Sequence, residues 1–154
     1  MELSSKAIID GAKIDAKYSK GGDNLSPDLA WTSGPPGTKS YAVTCFDPDA
    51  PTGSGWWHWI AADIPADATS LPEGGPLPAG ARQWPNDAEN RAYDGPAPPP
   101  GPVHHYVFTV FALDVDKLPV GDDAGSASAR FTLYQHILEQ DSITGLFSFT
   151  DRVG

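Results

Sequence analysis

The chain has 154 residues, about one ordinary domain, and its 40% hydrophobic content fits a globular protein and not a disordered one. The formal net charge is −10, and residues 41–154 carry all of it, because residues 1–40 hold five lysines against five acids. Such a surface repels polyanions, which argues against nucleic acid and anionic membranes as partners; no run approaches the ~18 apolar residues of a membrane span.

The single cysteine, Cys45, rules out an intrachain disulfide and suits a reducing compartment. It lies in an apolar run, where a thiol packs as a small hydrophobe. Residues 1–6 show no apolar core of a signal peptide. The expectation is a cytoplasmic protein with a single domain spanning 1–154.

In chain order, the alternation through Ile8, Ile14, Ala16 and Tyr18 predicts an opening hairpin over residues 7–18. A turn at Ser26-Pro27 leads into a short strand at Leu29-Ala30-Trp31. Residues 41–46 and 57–62, β-branched and aromatic, predict two longer strands. Between Pro65 and Pro102 stand ten prolines, so this stretch cannot be central sheet. Loops of that length in a compact domain usually serve function. Residues 106–113 are apolar almost throughout and predict an interior strand.

A helix is expected over residues 126–139, capped by Ser126 or Asp123. Its stripe of Ala127, Phe131, Tyr134 and Leu138 should face inward. Residues 143–149 read as a last strand. The fold class is mainly β, a two-sheet sandwich with one helix in the C-terminal half.

Two segments carry the chemistry. In Phe46-Asp47-Pro48-Asp49-Ala50-Pro51 the prolines stiffen the backbone under two carboxylates. Ten residues on, Trp56-Trp57-His58-Trp59 sets an imidazole among indoles. Further along, the run from Tyr93-Asp94-Gly95 through Pro98-Pro99-Pro100 feeds as a rigid connector into Val103-His104-His105-Tyr106. Strand alternation puts His104 and Tyr106 on one face and His105 on the other.

Asp-Pro-Asp-Ala-Pro, Gly-Trp-Trp-His-Trp, Gly-Pro-x-Pro-Pro-x-Gly and His-x-Tyr-Val-Phe, in this order, resemble the phosphatidylethanolamine-binding protein family, and within it the bacterial Raf kinase inhibitor-like branch. The resemblance runs from about Ser26-Pro27 to Phe147. It implies a two-sheet β fold with a small pocket for phosphate, acetate or phospholipid head groups. Carried over residue by residue, it marks Asp47, Asp49, Pro51, Trp56, His58, Pro99, His104 and Tyr106 as ligand-binding. The sequence departs from the family pattern at His105, where arginine is usual, at Gln83-Trp84-Pro85-Asn86-Asp87, and at Ala97, where cysteine is frequent.

Two aspartates can accept an anion only if the site supplies protons. The expectation is that Asp47 and Asp49 share a proton while a histidine carries charge. Three functions follow. The first is binding of a small anionic or amphiphilic molecule, with a regulatory role. The second is a cofactor-free acid–base enzyme, a cyclase, isomerase or dehydratase, with Asp47, His58 and His104 as catalytic candidates. The third is inhibition of a kinase or protease through the proline-rich loops. No cofactor is expected, and no metal, although Asp47, His58 and His104 are of ligating type. The partners expected are a small molecule, with a protein partner or a homodimer left open.

Overall fold

The computed structural model describes residues 1–153. Its larger sheet is antiparallel and has five strands: β3 (Ser40–Asp47), β4 (Trp56–Pro65), β6 (Arg82–Trp84), β7 (His104–Leu113) and β8 (Ile137–Phe147). They lie in the order β6-β4-β3-β7-β8. A smaller sheet is formed by β1 (Leu3–Ser4), β2 (Leu29–Trp31) and β5 (Ser70–Leu71), in the order β1-β2-β5. One α-helix among the described residues, α1 (Ser126–Tyr134), precedes β8.

The larger sheet is buried on both faces, which is why its inner strands read as continuous apolar runs and not as alternations. One face joins the smaller sheet in a core that includes Trp31, Tyr41, Val43, Cys45, Trp59, Phe108 and Val110. The other face packs on α1 through Ile60, Trp84, Phe111, Leu113, Leu118, Ala129 and Leu133. The proline-rich stretch contributes only the short strands β5 and β6, each at a sheet edge, as the missing N–H groups require.

Two irregularities interrupt the β3–β4 pairing. Between Tyr41↔Ile64 and Val43↔Ala61 strand β4 carries an extra residue, and Asp63 there has φ +59°. Its carboxylate is held by the Leu118 N–H at 2.8 Å and by Arg82 Nε at 2.5 Å. Between Cys45↔Trp59 and Phe46↔Trp57 the extra residue is His58. This bulge reverses the alternation, so Trp59 enters the inter-sheet core while Trp57 stacks on Phe46 on the opposite side.

The opening hairpin does not form. Residues 8–14 instead run beside the outer edge of β8, with Gly11 N–H donating to Thr144 O, Ile14 N–H to Leu146 O, and Leu146 N–H to Ala12 O. A single turn of 3-10 helix lies just beyond, at Ala16–Tyr18. The alternation was real, since Ile8, Ile14 and Tyr18 are all buried, but those side chains cover an existing edge and not each other.

The helix is shorter than expected and turned differently. It ends at Tyr134, because the chain must rejoin β7 at Leu113↔Ile137. The residues it buries are Ala129 and Leu133, while Phe131, Tyr134 and Leu138 are 72%, 51% and 41% exposed. Neither Ser126 nor Asp123 caps it: Gly125 occupies the cap position without a side-chain bond. Two apolar stripes compete on this helix, and contact with Phe111, Leu118 and Trp84 selects the smaller one. We therefore expect Leu133→Ala to cost about 2–5 kcal/mol, as a buried large-to-small change. Phe131→Ala should stay within about 0.5 kcal/mol of the parent. Equilibrium denaturation of the two variants checks the ranking, and equal losses would contradict this orientation of α1.

Candidate functional site

The inter-sheet core runs out at one end of the larger sheet, and a cavity of about 280 Å³ takes its place. On β3 the core face passes from Val43 and Cys45 to Asp47; on β7 it passes from Phe108 and Tyr106 to His104. Polar groups thus occupy the next core-facing positions after the last apolar ones. Asp47, Pro51, Trp56, His58, Pro99, His104 and Tyr106 all line this cavity. Pairing of β3 with β7 ends at Phe46↔Val107. Beyond it side chains take over from the backbone.

Asp47 and His104 are both buried, and the His104 Nδ1–H donates to Asp47 Oδ2 at 2.6 Å. The other carboxylate oxygen accepts the Asp49 N–H at 2.8 Å. Both oxygens are therefore engaged, as a buried carboxylate requires. With Nδ1 committed, the lone pair of a neutral His104 belongs to Nε2. Tyr106 lies alongside. Burial, and then the negative charge of Asp47, push its phenol well above the ordinary range, so the hydroxyl keeps its proton.

His58 faces Tyr106 edge-on, with ring centroids 5.2 Å apart. Its Nδ1 lies 2.8 Å from the carbonyl oxygen of Asp94. A carbonyl only accepts, so Nδ1 carries the hydrogen and Nε2 is the acceptor of the neutral ring. That Nε2 is buried and has no partner among the described residues. Burial lowers the pKa of His58 and outweighs the opposing pull of the Asp94 carbonyl and the Asp47 charge, so the neutral ring is the form present near pH 7.

Asp94 was not among the residues expected at the site, because Asp94-Gly95 reads as the start of a connector. Its side chain accepts from Asn24 at 3.1 Å, Asn86 at 2.9 Å and Asn90 at 2.8 Å, and it lines the cavity. Burial acts to raise its pKa, but the amide donors outweigh burial and hold it below the usual carboxylate range. No spacing rule links positions 24, 86, 90 and 94, so the network has no signature in the sequence. Gly95 comes next, and a Cβ there would sit 2.0 Å from the Tyr18 carbonyl oxygen. The 94–99 loop reaches the cavity only because that residue is glycine. Lys20, Ala50, Thr52, Ala88, Ala97 and Pro98 complete the parts of the lining that sequence reasoning missed.

Asp49 does not line the cavity. Its carboxylate accepts both the backbone N–H and the side-chain Nδ1–H of His105, each at 2.7 Å, in a solvent-exposed contact at the end of the sheet. The two aspartates therefore do not share a proton: each has its own histidine, one pair buried and one exposed. The opposite faces of His104 and His105 make this unavoidable, since Asp47 and Asp49 flank Pro48 and are drawn to different sides. His105, which stands where the family usually has arginine, thus makes an ion-pairing contact of its own. Among the described residues no group of three or more His, Cys, Asp or Glu side chains is arranged to hold a metal ion. No helix among them is long and apolar enough to cross a membrane.

A family model described as phosphatidylethanolamine-binding protein matches residues 4–148. The chain belongs to that family. Membership brings ligand binding as a general property. It is 45% identical to the Escherichia coli protein YbhB, over 96% of this chain and 100% of that one. A relative from Methanothermobacter thermautotrophicus is 38% identical over 96% and 98% of the two chains. The crystal structure of Escherichia coli YbcL, described as a new member of the mammalian family, superimposes with a TM-score of 0.91 at 39% identity, covering 96% of this chain and 97% of that one. The match begins well before Ser26, so the segment beside β8 belongs to the family fold as well.

The Asp49–His105 contact makes a stability prediction. Burial acts to raise the Asp49 pKa, but the two donors of His105 and its charge hold it below the ordinary value. A depressed carboxylate stabilises the fold above its unfolded pKa, near 3.9, and that contribution is lost as pH falls through the lower folded value. Asp49→Asn should therefore lower stability at pH 7 and leave less difference from the parent near pH 3. Chemical denaturation at both values measures this, and a deficit that persists undiminished in acid would show that the pair contributes through shape and not charge.

Proposed function

We propose that this cavity binds a small molecule through a phosphate or carboxylate group, and that a proton is taken up when it binds. The observation that supports this is the unpaired, buried Nε2 of His58. The neutral His58 keeps a lone pair on Nε2, and Asp47 nearby contributes negative charge. An anion is repelled by that arrangement unless a proton arrives with it. A phosphate monoester in its singly charged form meets the requirement: its P–OH donates to His58, and its other oxygens accept from Tyr106. Alternatively the proton joins His104 Nε2, whose charge is balanced by Asp47. An unsatisfied buried acceptor costs about 1–3 kcal/mol, so a ligand that supplies the donor recovers that amount. Pro51, Trp56, Pro98 and Pro99 offer an apolar wall for the rest of the molecule. A regulatory role would follow from occupancy of this cavity.

Proton uptake sets the sign of the pH dependence. The bound state holds more protons than the free state, so affinity rises as pH falls from about 8 to 6. Calorimetric titration with glycerol 3-phosphate at constant ionic strength, in buffers of different ionisation enthalpy, gives both affinity and the number of protons taken up. We expect an uptake approaching one, a smaller uptake in His58→Ala and in His104→Ala, and weaker binding in Asp47→Asn. Affinity for this probe that rises with pH, or binding without proton uptake, would overturn the reading.

A second reading rests on the same ring. A neutral imidazole with a free Nε2 beside a buried Asp–His pair is the arrangement of a general base and a general acid. A cofactor-free isomerase or cyclase of this kind would exchange solvent deuterium into an acidic C–H of its bound ligand. A ligand recovered unlabelled after many dissociation times would leave binding as the function.

A further inference from the structure

We propose that Lys20 reads a second negative group on the ligand, so that the molecule recognised carries two anionic ends and not one. The inference rests on the reading of the cavity as an anion site and names the ligand class more narrowly. Among the described residues Lys20 is the sole lysine or arginine lining the cavity. Its backbone is not free to wander. Lys20 N–H donates to Pro96 O at 3.0 Å, and the nearby carbonyl of Tyr18 is closed on by Gly95 and accepts the Tyr93 hydroxyl at 2.8 Å. The neighbouring turn is closed by the N–H groups of Gly22 and Asn24, both donating to Ser19 O at 3.1 Å. A fixed segment therefore presents this side chain to the cavity mouth.

The ammonium itself is left available. Lys20 is exposed and makes none of the ion pairs that hold Lys13 to Asp151 and Lys17 to Glu73. The carboxylate lining the same cavity wall, Asp94, is the obvious local partner, but its Oδ1 is occupied by Asn24 and its Oδ2 by Asn86 and Asn90. The amide donors hold its pKa low, with the charge of Lys20 a smaller influence, and three of its acceptor sites are taken by the amides. Charge balance points the same way. In a chain of net charge −10, the deep end of the cavity has a neutral His58 beside the Asp47 carboxylate, and that end does not attract an anion over distance. The permanent positive charge stands at the mouth. The cavity of about 280 Å³ also exceeds one phosphate group, and its lining includes the apolar Ala88, Ala97, Pro98 and Pro99. That geometry fits a short apolar or neutral spacer with an anionic group at each end.

The test uses two probes alike at the phosphate and different at the far end: 3-phosphoglycerate, which ends in a carboxylate, and glycerol 3-phosphate, which ends in a hydroxyl. Calorimetry on the intact protein at low salt should find 3-phosphoglycerate bound about three- to tenfold more tightly, the range of one partly exposed charge-assisted contact. In Lys20→Gln the ratio should fall to near one. In Lys6→Gln, which removes the same charge from a residue outside the cavity lining, the ratio should persist. Equal affinities in the parent protein, or a ratio that survives in Lys20→Gln, overturn the proposal while leaving the anion site intact. A ratio lost equally in both variants attributes the preference to overall charge and also overturns it. No binding of either probe overturns the anion reading and this inference with it.

Discussion

A buried carboxylate with both oxygens engaged is the constraint on which the functional end of the molecule depends. Asp47 sits at a core-facing position of a strand whose backbone pairing with β7 has just ended. Left alone there, its charge would carry a desolvation penalty of several kcal/mol. The chain compensates with His104 on the neighbouring strand and the N–H of Asp49 on its own. Removing one partner would leave a charge without compensation in a nonpolar setting, which is why the Asp-Pro-Asp turn and the His-His-Tyr strand start function as a single structural unit. The exposed copy of the same motif, Asp49 with His105, fastens the turn from outside, where water screens the charges and the pair is worth much less.

The second histidine is placed by different means. A regular β4 would carry Trp57 and Trp59 on one face and put His58 on the other, remote from the inter-sheet core. The bulge at His58 breaks that alternation and aims the ring into the cavity. Its orientation is then fixed by a backbone carbonyl, that of Asp94, and the asparagine cluster around the Asp94 side chain fixes the carbonyl in turn. The result is an imidazole of one tautomer with a buried basic nitrogen that has no partner among the described residues. Binding and proton transfer both draw on that arrangement. The difference between them is whether a ligand offers a bond that can lose its proton.

An acidic protein with the anion site proposed above looks contradictory until charge is considered locally. The excess acids are on the outer surface, within reach of counter-ions. Inside the cavity the Asp47 carboxylate is held by His104 and the Asp49 N–H, and Asp94 is dispersed over three amides. What remains is a set of hydrogen-bonding atoms in low dielectric, where one proton changes the sign of the interaction.

The longer interior strands and seven of the fifteen residues that line the cavity were legible in the sequence. Val43, Phe108 and Val110 had no alternative to a buried sheet, and prolines between 65 and 102 could occupy only edges and loops. Asp47, His58, His104 and Tyr106 were legible because rigid neighbours and period-two alternation confine where their side chains point. Tertiary structure decided the rest. The pairing of residues 8–14 with β8, where a hairpin had been expected, depended on which apolar edge was vacant. The helix rotation depended on whether Phe131 or Leu133 matched the space left by Phe111 and Leu118. Lys20 and Asp94 joined the site through contacts more than sixty-nine positions apart, and no local pattern encodes a contact of that span. Asp49 lies outside the cavity because β3 ends at Asp47 and the chain turns there, so the alternation that would have kept positions 47 and 49 on one face no longer applies, and the Asp49 carboxylate is taken by His105 instead.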